Sequence, residues 1–184
     1  MKKKENDVQW LRKYFENYQA FLNSEEDFQK LHEIKELWIE ANTKGNKIIF
    51  SGNGGSAAMS SHLAVDLTKT AKIRGINFNE ADLITCFAND YGYENWILKA
   101  IEHYADEGDV IVLISSSGQS ANIINGANYA KDKGLSLVTF SGFDSDNPLR
   151  QIGDINVWVN SQSYNIVEMT HHIWLLAIVD LIIG

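Results

Sequence analysis

Two short stretches gather hydroxyls and glycines where a backbone could grip an anion. Gly52-Asn53-Gly54-Gly55-Ser56 follows a β-rich run, Lys47 to Ser51, and precedes a helical pattern reaching about Thr70. Ser115-Ser116-Ser117-Gly118-Gln119-Ser120 follows a second such run, from Asp109, and precedes a helical pattern reaching about Lys133. Glycine lets the backbone approach a ligand closely, and the start of the following helix presents unpaired N–H groups. Neither loop contains Asp or Glu. Ordinary caps and turns use the same residue types, so either loop alone is equivocal. Two of them after neighbouring strands suit a small phosphate ester whose sugar hydroxyls need short polar partners.

Gly52, Gly54 and Ala57 also satisfy the G-x-G-x-x-A dinucleotide pattern. That pattern needs an acidic residue ending a second apolar strand about 20 residues on. Ile73 to Asp82 offers no clean strand and several competing acids, so the dinucleotide reading ranks last. No G-x-x-x-x-G-K-[ST] occurs, which leaves a nucleoside triphosphate site unsupported.

The elements that must position these loops are legible from periodicity. Val8, Leu11, Tyr14, Phe15, Tyr18 and Leu22 recur at helical spacing, and so do Phe28, Leu31, Ile34, Leu37, Trp38 and Ala41. Ser24 and Asp27 resemble a capping box between the two series, and Gly45 marks the end of the second. The result is a helical hairpin over 1–45. Trp10 and Phe21 widen its apolar stripe beyond what one sheet contact needs, which predicts that part of it packs on another subunit. From 46 to 184, apolar strands alternate with helices, with further strands at Leu135 to Ser141 and Asp154 to Asn160, a turn holding Pro148, and a last helix from Tyr164 to Ile183. That order predicts one α/β unit with a parallel sheet covered on both faces.

Composition bounds the partners. The 184 residues, 45% apolar, suffice for a sizeable single core without disulfides or structural metal. A formal charge of -8 argues against a general grip on nucleic acid or an anionic membrane. The lone Cys86 excludes an internal disulfide and fits a reducing compartment. Acidic and amide residues follow Met1-Lys2-Lys3-Lys4 where a signal peptide would turn apolar, and Ile173 to Ile183 is about half a bilayer span and carries Asp180. These readings predict a cytoplasmic protein with no membrane partner.

Taken together, the Gly-Asn-Gly-Gly-Ser loop, the segment Asn89-Asp90-Tyr91-Gly92-Tyr93-Glu94 and the Ser115 to Ser120 loop resemble the sugar isomerase (SIS) domain family and, within it, the phosphoheptose isomerases. The likeness runs from about Leu31 to the C-terminus as one SIS domain. It implies a flavodoxin-like three-layer α/β/α sandwich and a homotetramer with sites between subunits. It further implies interconversion of sedoheptulose 7-phosphate and the aldose heptose 7-phosphate for lipopolysaccharide or capsule synthesis. Carried onto this chain, Ser56, Ser115, Ser117 and Ser120 would hold the phosphate, beside the backbone of Gly54 and Gly55. Asn53, Asp90, Ser116 and Glu168 would meet the sugar.

The sequence departs from this family at the catalytic positions. The family's His-x-x-x-Glu is His62 and Asp66 here, and its Gln and His eight residues apart are Glu168 and Leu176. Residues four apart share a helix face, so His172 lies on the line from 168 to 176. His62, Asp66, Glu168 and His172 then form two His/carboxylate pairs, a set suited to zinc or a similar divalent ion. Aldose–ketose exchange needs a base at carbon and a proton donor or metal at oxygen. Asp66 or Glu168 is the expected base and His172 the group that polarises the carbonyl. Leu176 keeps two alternatives open: a non-catalytic SIS module binding a sugar phosphate or a protein such as a replication initiator, and an isomerase for another sugar such as arabinose 5-phosphate.

Overall fold

The computed structural model describes residues 2–184, with side chains from residue 6 onward. Two helices open it, α1 (Lys2–Leu22) and α2 (Glu25–Thr43). At the break between them, Ser24 Oγ accepts the Asp27 N–H at 3.3 Å, and Glu25, Glu26 and Asp27 place negative charge at the positive end of α2. Past the end of α2, Gly45 takes a left-handed φ of +81°, which a side chain would strain.

The chain continues through β1 (Ile48–Gly52), α3 (Gly55–Lys69), β2 (Gly75–Asn77), α4 (Ala81–Tyr91), a single 3-10 turn (Tyr93–Asn95) and α5 (Trp96–Tyr104). It ends with β3 (Val110–Ser115), α6 (Ala121–Asp132), β4 (Ser136–Gly142), α7 (Pro148–Ile152), β5 (Ile155–Val159) and α8 (Tyr164–Ile183). All five strands are parallel, in the order β2-β1-β3-β4-β5. This is the flavodoxin-like order.

Alternation along the strands divides the core in two. Ile48, Phe50, Val110, Val112, Ile114, Val138 and Phe140 face α2, α3 and α8. Ile49, Ile111, Leu113 and Leu137 face α5, α6 and α7. The strands are apolar on both sides because helices cover both.

Two elements depart from the sequence reading. The stretch after Ile73, which offers no clean strand, contributes the three-residue edge strand β2, paired to β1 through Ile48, Ile49 and Phe50. The turn holding Pro148 winds into α7, capped by Asn147, whose Oδ1 accepts the Arg150 N–H at 3.0 Å. Proline at the first helical position loses no hydrogen bond.

The last helix is long and apolar enough to cross a membrane. Its residues Ile166, Val167, Thr170, His171, Trp174, Leu175, Ile178 and Val179 are buried within the fold. On α1, by contrast, Trp10 and Phe15 are 62% and 61% exposed. Among the described residues of this helix, Phe21 and Leu22 at its end pack on the main core.

Candidate active site

Adjacent strands β1 and β3 send their following helices to opposite faces of the sheet, α3 with one half-core and α6 with the other. A crevice opens between their carboxyl ends, the place where open parallel sheets receive ligands. The glycine loop leaves β1 there and the serine loop leaves β3. In the glycine loop, Gly54 turns at φ +53° and α3 starts at Gly55 without a side-chain cap; the Ser56 and Ala57 N–H groups donate back to Asn53 O, which leaves the Gly54 and Gly55 amides as the donors the loop can offer. Ser56 is buried at the first turn. A side chain on Gly55 would collide with the carboxylate of Glu168, which places that carboxylate directly against the glycine loop.

Ser115 and Ser116 are buried, and Ser117 and Ser120 half-buried. The Ser115 and Ser120 hydroxyls lie 3.5 Å apart, and Ser117 Oγ accepts the Gln119 N–H at 3.3 Å. This loop rests on the connection after β4. Gly142 N–H donates to Ser116 O at 2.9 Å, and Leu149 N–H to Gly118 O at 3.1 Å. Gly118, at φ +63°, seats directly on the buried Asn147 side chain, where a Cβ has no room.

Asn53 is held from the side by α6 and by the turn before α5. Its amide exchanges two hydrogen bonds with Asn122 of α6, Asn53 Nδ2 donating at 3.0 Å and Asn122 Nδ2 at 2.9 Å. The Tyr93 hydroxyl donates to the same Asn53 Oδ1 at 3.2 Å. Asn125, one turn along α6, donates to Glu94 O at 2.9 Å and to Asn95 Oδ1 at 3.1 Å. Asp90 is exposed near the end of α4, where its carboxylate accepts from Asn89 Nδ2 at 2.9 Å. No hydrogen bond joins Asp90 to either loop among the described residues.

The three remaining candidates meet between α3 and α8. His62 Nδ1 and His172 Nε2 are 3.0 Å apart, and His62 Nε2 is 3.2 Å from Asp66 Oδ2. In the tautomer that carries the His62 proton on Nε2, toward the Asp66 carboxylate, Nδ1 accepts from His172 Nε2–H. His172 Nδ1 is left as a basic nitrogen. Burial, and then the neighbouring His62, hold the His172 imidazole below its ordinary value against the opposing pull of Asp66. The adjacent His171 turns the other way: it is fully buried, with Nε2–H donating to Ser141 O at 3.0 Å and its ring edge-on to Phe140.

Asp66 and His172 occupy opposite nitrogens of one ring, and Glu168 lies a turn earlier on α8, against Gly55. Among the described residues no three His, Cys, Asp or Glu side chains gather into a metal-holding group. A zinc centre needs about four converging donors; two facing imidazole nitrogens with divergent carboxylates do not fit one as they stand.

Sequence reasoning missed Asn122, Asn125 and Asn147. Asn147 did carry a signal, since Asn before Pro at a helix start is a capping pattern. Asn122 carried none beyond being polar near the start of a helix.

The doubly wound order, with two glycine- and serine-rich loops at the carboxyl ends of adjacent strands and a His/carboxylate cluster beside them, defines a flavodoxin-like α/β sandwich with a crevice of the ligand-binding kind. The sequence matches the SIS domain family over residues 13–142, and the chain belongs to that family. It is 34% identical over 149 residues to the phosphoheptose isomerase of Aliarcobacter butzleri, covering 78% of each chain. With the phosphoheptose isomerase of Fusobacterium nucleatum it shares 30% over 171 residues, covering 90% of this chain and 88% of the relative. The structure of phosphoheptose isomerase from Neisseria gonorrhoeae superposes with a TM-score of 0.86 over 97% of both chains at 24% identity, a shared fold.

Proposed function

We propose that the protein is a phosphoheptose-type aldose–ketose isomerase, interconverting sedoheptulose 7-phosphate and D-glycero-D-manno-heptose 7-phosphate through an enediol. The observation that carries this reading is the placement of the Glu168 carboxylate against the glycine loop, one turn from His172. It supplies a base beside an anion seat, which is what the reaction requires.

In the proposed mechanism the serine loop and the start of α3 hold the phosphate and orient the sugar. Glu168 takes the proton from one of the two carbons that exchange oxidation state and returns it to the other. His172 Nδ1 moves the proton between the two enediol oxygens, held in its tautomer by His62 and, through it, Asp66. Asp66 therefore acts as an orienting group, because its carboxylate faces His62 rather than the loops. These steps use protein groups alone. Self-association belongs to the same proposal, with residues 1–45 as the assembly element and a tetramer as its form. Trp10, Leu11 and Phe15 on α1 and Met169 and Ile173 beside the site on α8 are all exposed apolar groups that such packing would cover.

The test is conversion of sedoheptulose 7-phosphate to the aldose, followed by NMR on purified protein before and after chelation. Turnover is expected. Turnover unchanged by chelation fits donors that do not converge, whereas loss on chelation and return with zinc would show that an ion draws Asp66 and Glu168 inward. Binding of the sugar phosphate without turnover in any state would replace the isomerase with a sugar-phosphate-binding module.

A further inference from the structure

Three segments that meet at the crevice are joined by side chains of a single helix. Asn122 ties the glycine loop to α6 through a reciprocal amide pair, and is itself only 2% exposed. Asn125, three residues on and hence on the same helix face, ties the turn at Tyr93–Asn95 to α6. Tyr93 closes the triangle on Asn53 Oδ1. Since α6 begins directly after the serine loop, its placement is the placement of that loop.

We infer that Asn122 is a positioning residue for sugar-phosphate binding, and that Asn53 acts mainly through it. The two loops can grip one phosphate ester only at a fixed separation, and nothing within either loop sets that separation. Backbone pairing of β1 with β3 ends at Gly52, the first residue of the glycine loop, and at Ile114, the residue before the serine loop. Beyond that point, among the described residues, the amide pair is the side-chain hydrogen-bonded link from the glycine loop to the serine-loop helix. Asn53 Oδ1 already accepts from both Asn122 and Tyr93, and one of its two Nδ2 N–H groups is given to Asn122, which leaves a single N–H for any direct hydrogen bond to sugar.

The inference rests on the isomerase reading and is tested on sedoheptulose 7-phosphate with the full chain. Asn122→Ala, Asn53→Ala and the double variant are compared for KM, kcat and thermal unfolding. Expected is a rise in KM of about tenfold in each single variant, with kcat within about threefold. The double variant should match the singles rather than multiply them, because each amide acts through the other. Asn122→Ser keeps a donor and an acceptor and should recover part of the loss; it also serves if the alanine variant does not fold. An unchanged KM in folded Asn122→Ala or Asn122→Ser would overturn the inference while leaving the isomerase reading intact. So would multiplicative losses in the double variant, which would return Asn53 to direct sugar contact. Wild-type protein that neither binds nor converts the substrate would overturn both.

Discussion

The two central strands, β1 and β3, carry polar clusters at both ends, and the clusters are built to opposite rules. At the amino ends, Asp109 is fully buried and accepts from Lys47 N–H at 2.9 Å, from Asp106 N–H at 2.8 Å and from the Lys47 ammonium. Burial alone would lower the Lys47 ammonium, but hydrogen bonds to Asp106 and Asp109 outweigh it and raise it. Every group there has its partners. At the carboxyl ends, the Glu168 carboxylate, the second nitrogen of His172 and the serine hydroxyls are only partly engaged. A saturated cluster fixes strand register; an unsaturated one is able to act on a ligand.

The sharpest way to break this comparison is at Glu168. Glu168→Gln should lower kcat by about a thousandfold with an unchanged unfolding midpoint, as expected for a general base on a partly open surface. Asp66→Asn should lower kcat far less. The reverse ranking in a steady-state assay would make Asp66 the base.

At the other end the expected loss is in stability. Asp109→Ala strips two backbone donors of their acceptor and leaves the largely buried Lys47 ammonium with Asp106 alone, and should cost about 3–4 kcal/mol in urea unfolding. The kcat of the protein that remains folded should be unchanged. A large fall in kcat there would mean that the two ends are not independent.

Acid stability tests the buried side of α8. Burial takes the His171 imidazole down to about 4, against the donated hydrogen bond to Ser141 that raises it. Between the ordinary value of 6.5 and about 4, the unfolded state binds this proton and the folded state does not. Stability is therefore complete above pH 6.5 and falls with acidification across that window, by roughly 3 kcal/mol at most. His171→Gln should flatten this slope in urea titrations at pH 7 and pH 5, although it lowers stability at pH 7. An equal slope in the variant would assign the acid sensitivity elsewhere.

The smallest effect is expected at Leu176, which packs partly buried against the main core. Leu176→His should cost about 1–2 kcal/mol by exchanging an apolar contact for a polar ring. It should not rescue His172→Ala in the isomerase assay. Rescue would show that the site tolerates its histidine at either turn.

Periodicity made most of the fold legible: the hairpin, the doubly wound alternation and α8 follow from where apolar residues recur. β2 escaped because Gly75-Ile76-Asn77 has one apolar residue and is recognisable only by its pairing with β1. Within the site, position along the chain indicated which loops matter, but not what their side chains touch. His171 and His172 could not be separated by pattern, because α8 is apolar on most of its circumference and gives a weak phase. Asn53 and Asn122 are both polar residues at loop ends, and only three dimensions show that each occupies the other.

Residues 168, 172 and 176 form one line along α8, and the residues that bind the helix to the core lie mostly off it. The face that a substitution along this line would alter is therefore largely separate from the face that anchors the helix, so what α8 offers the crevice can change while its seat on the sheet does not.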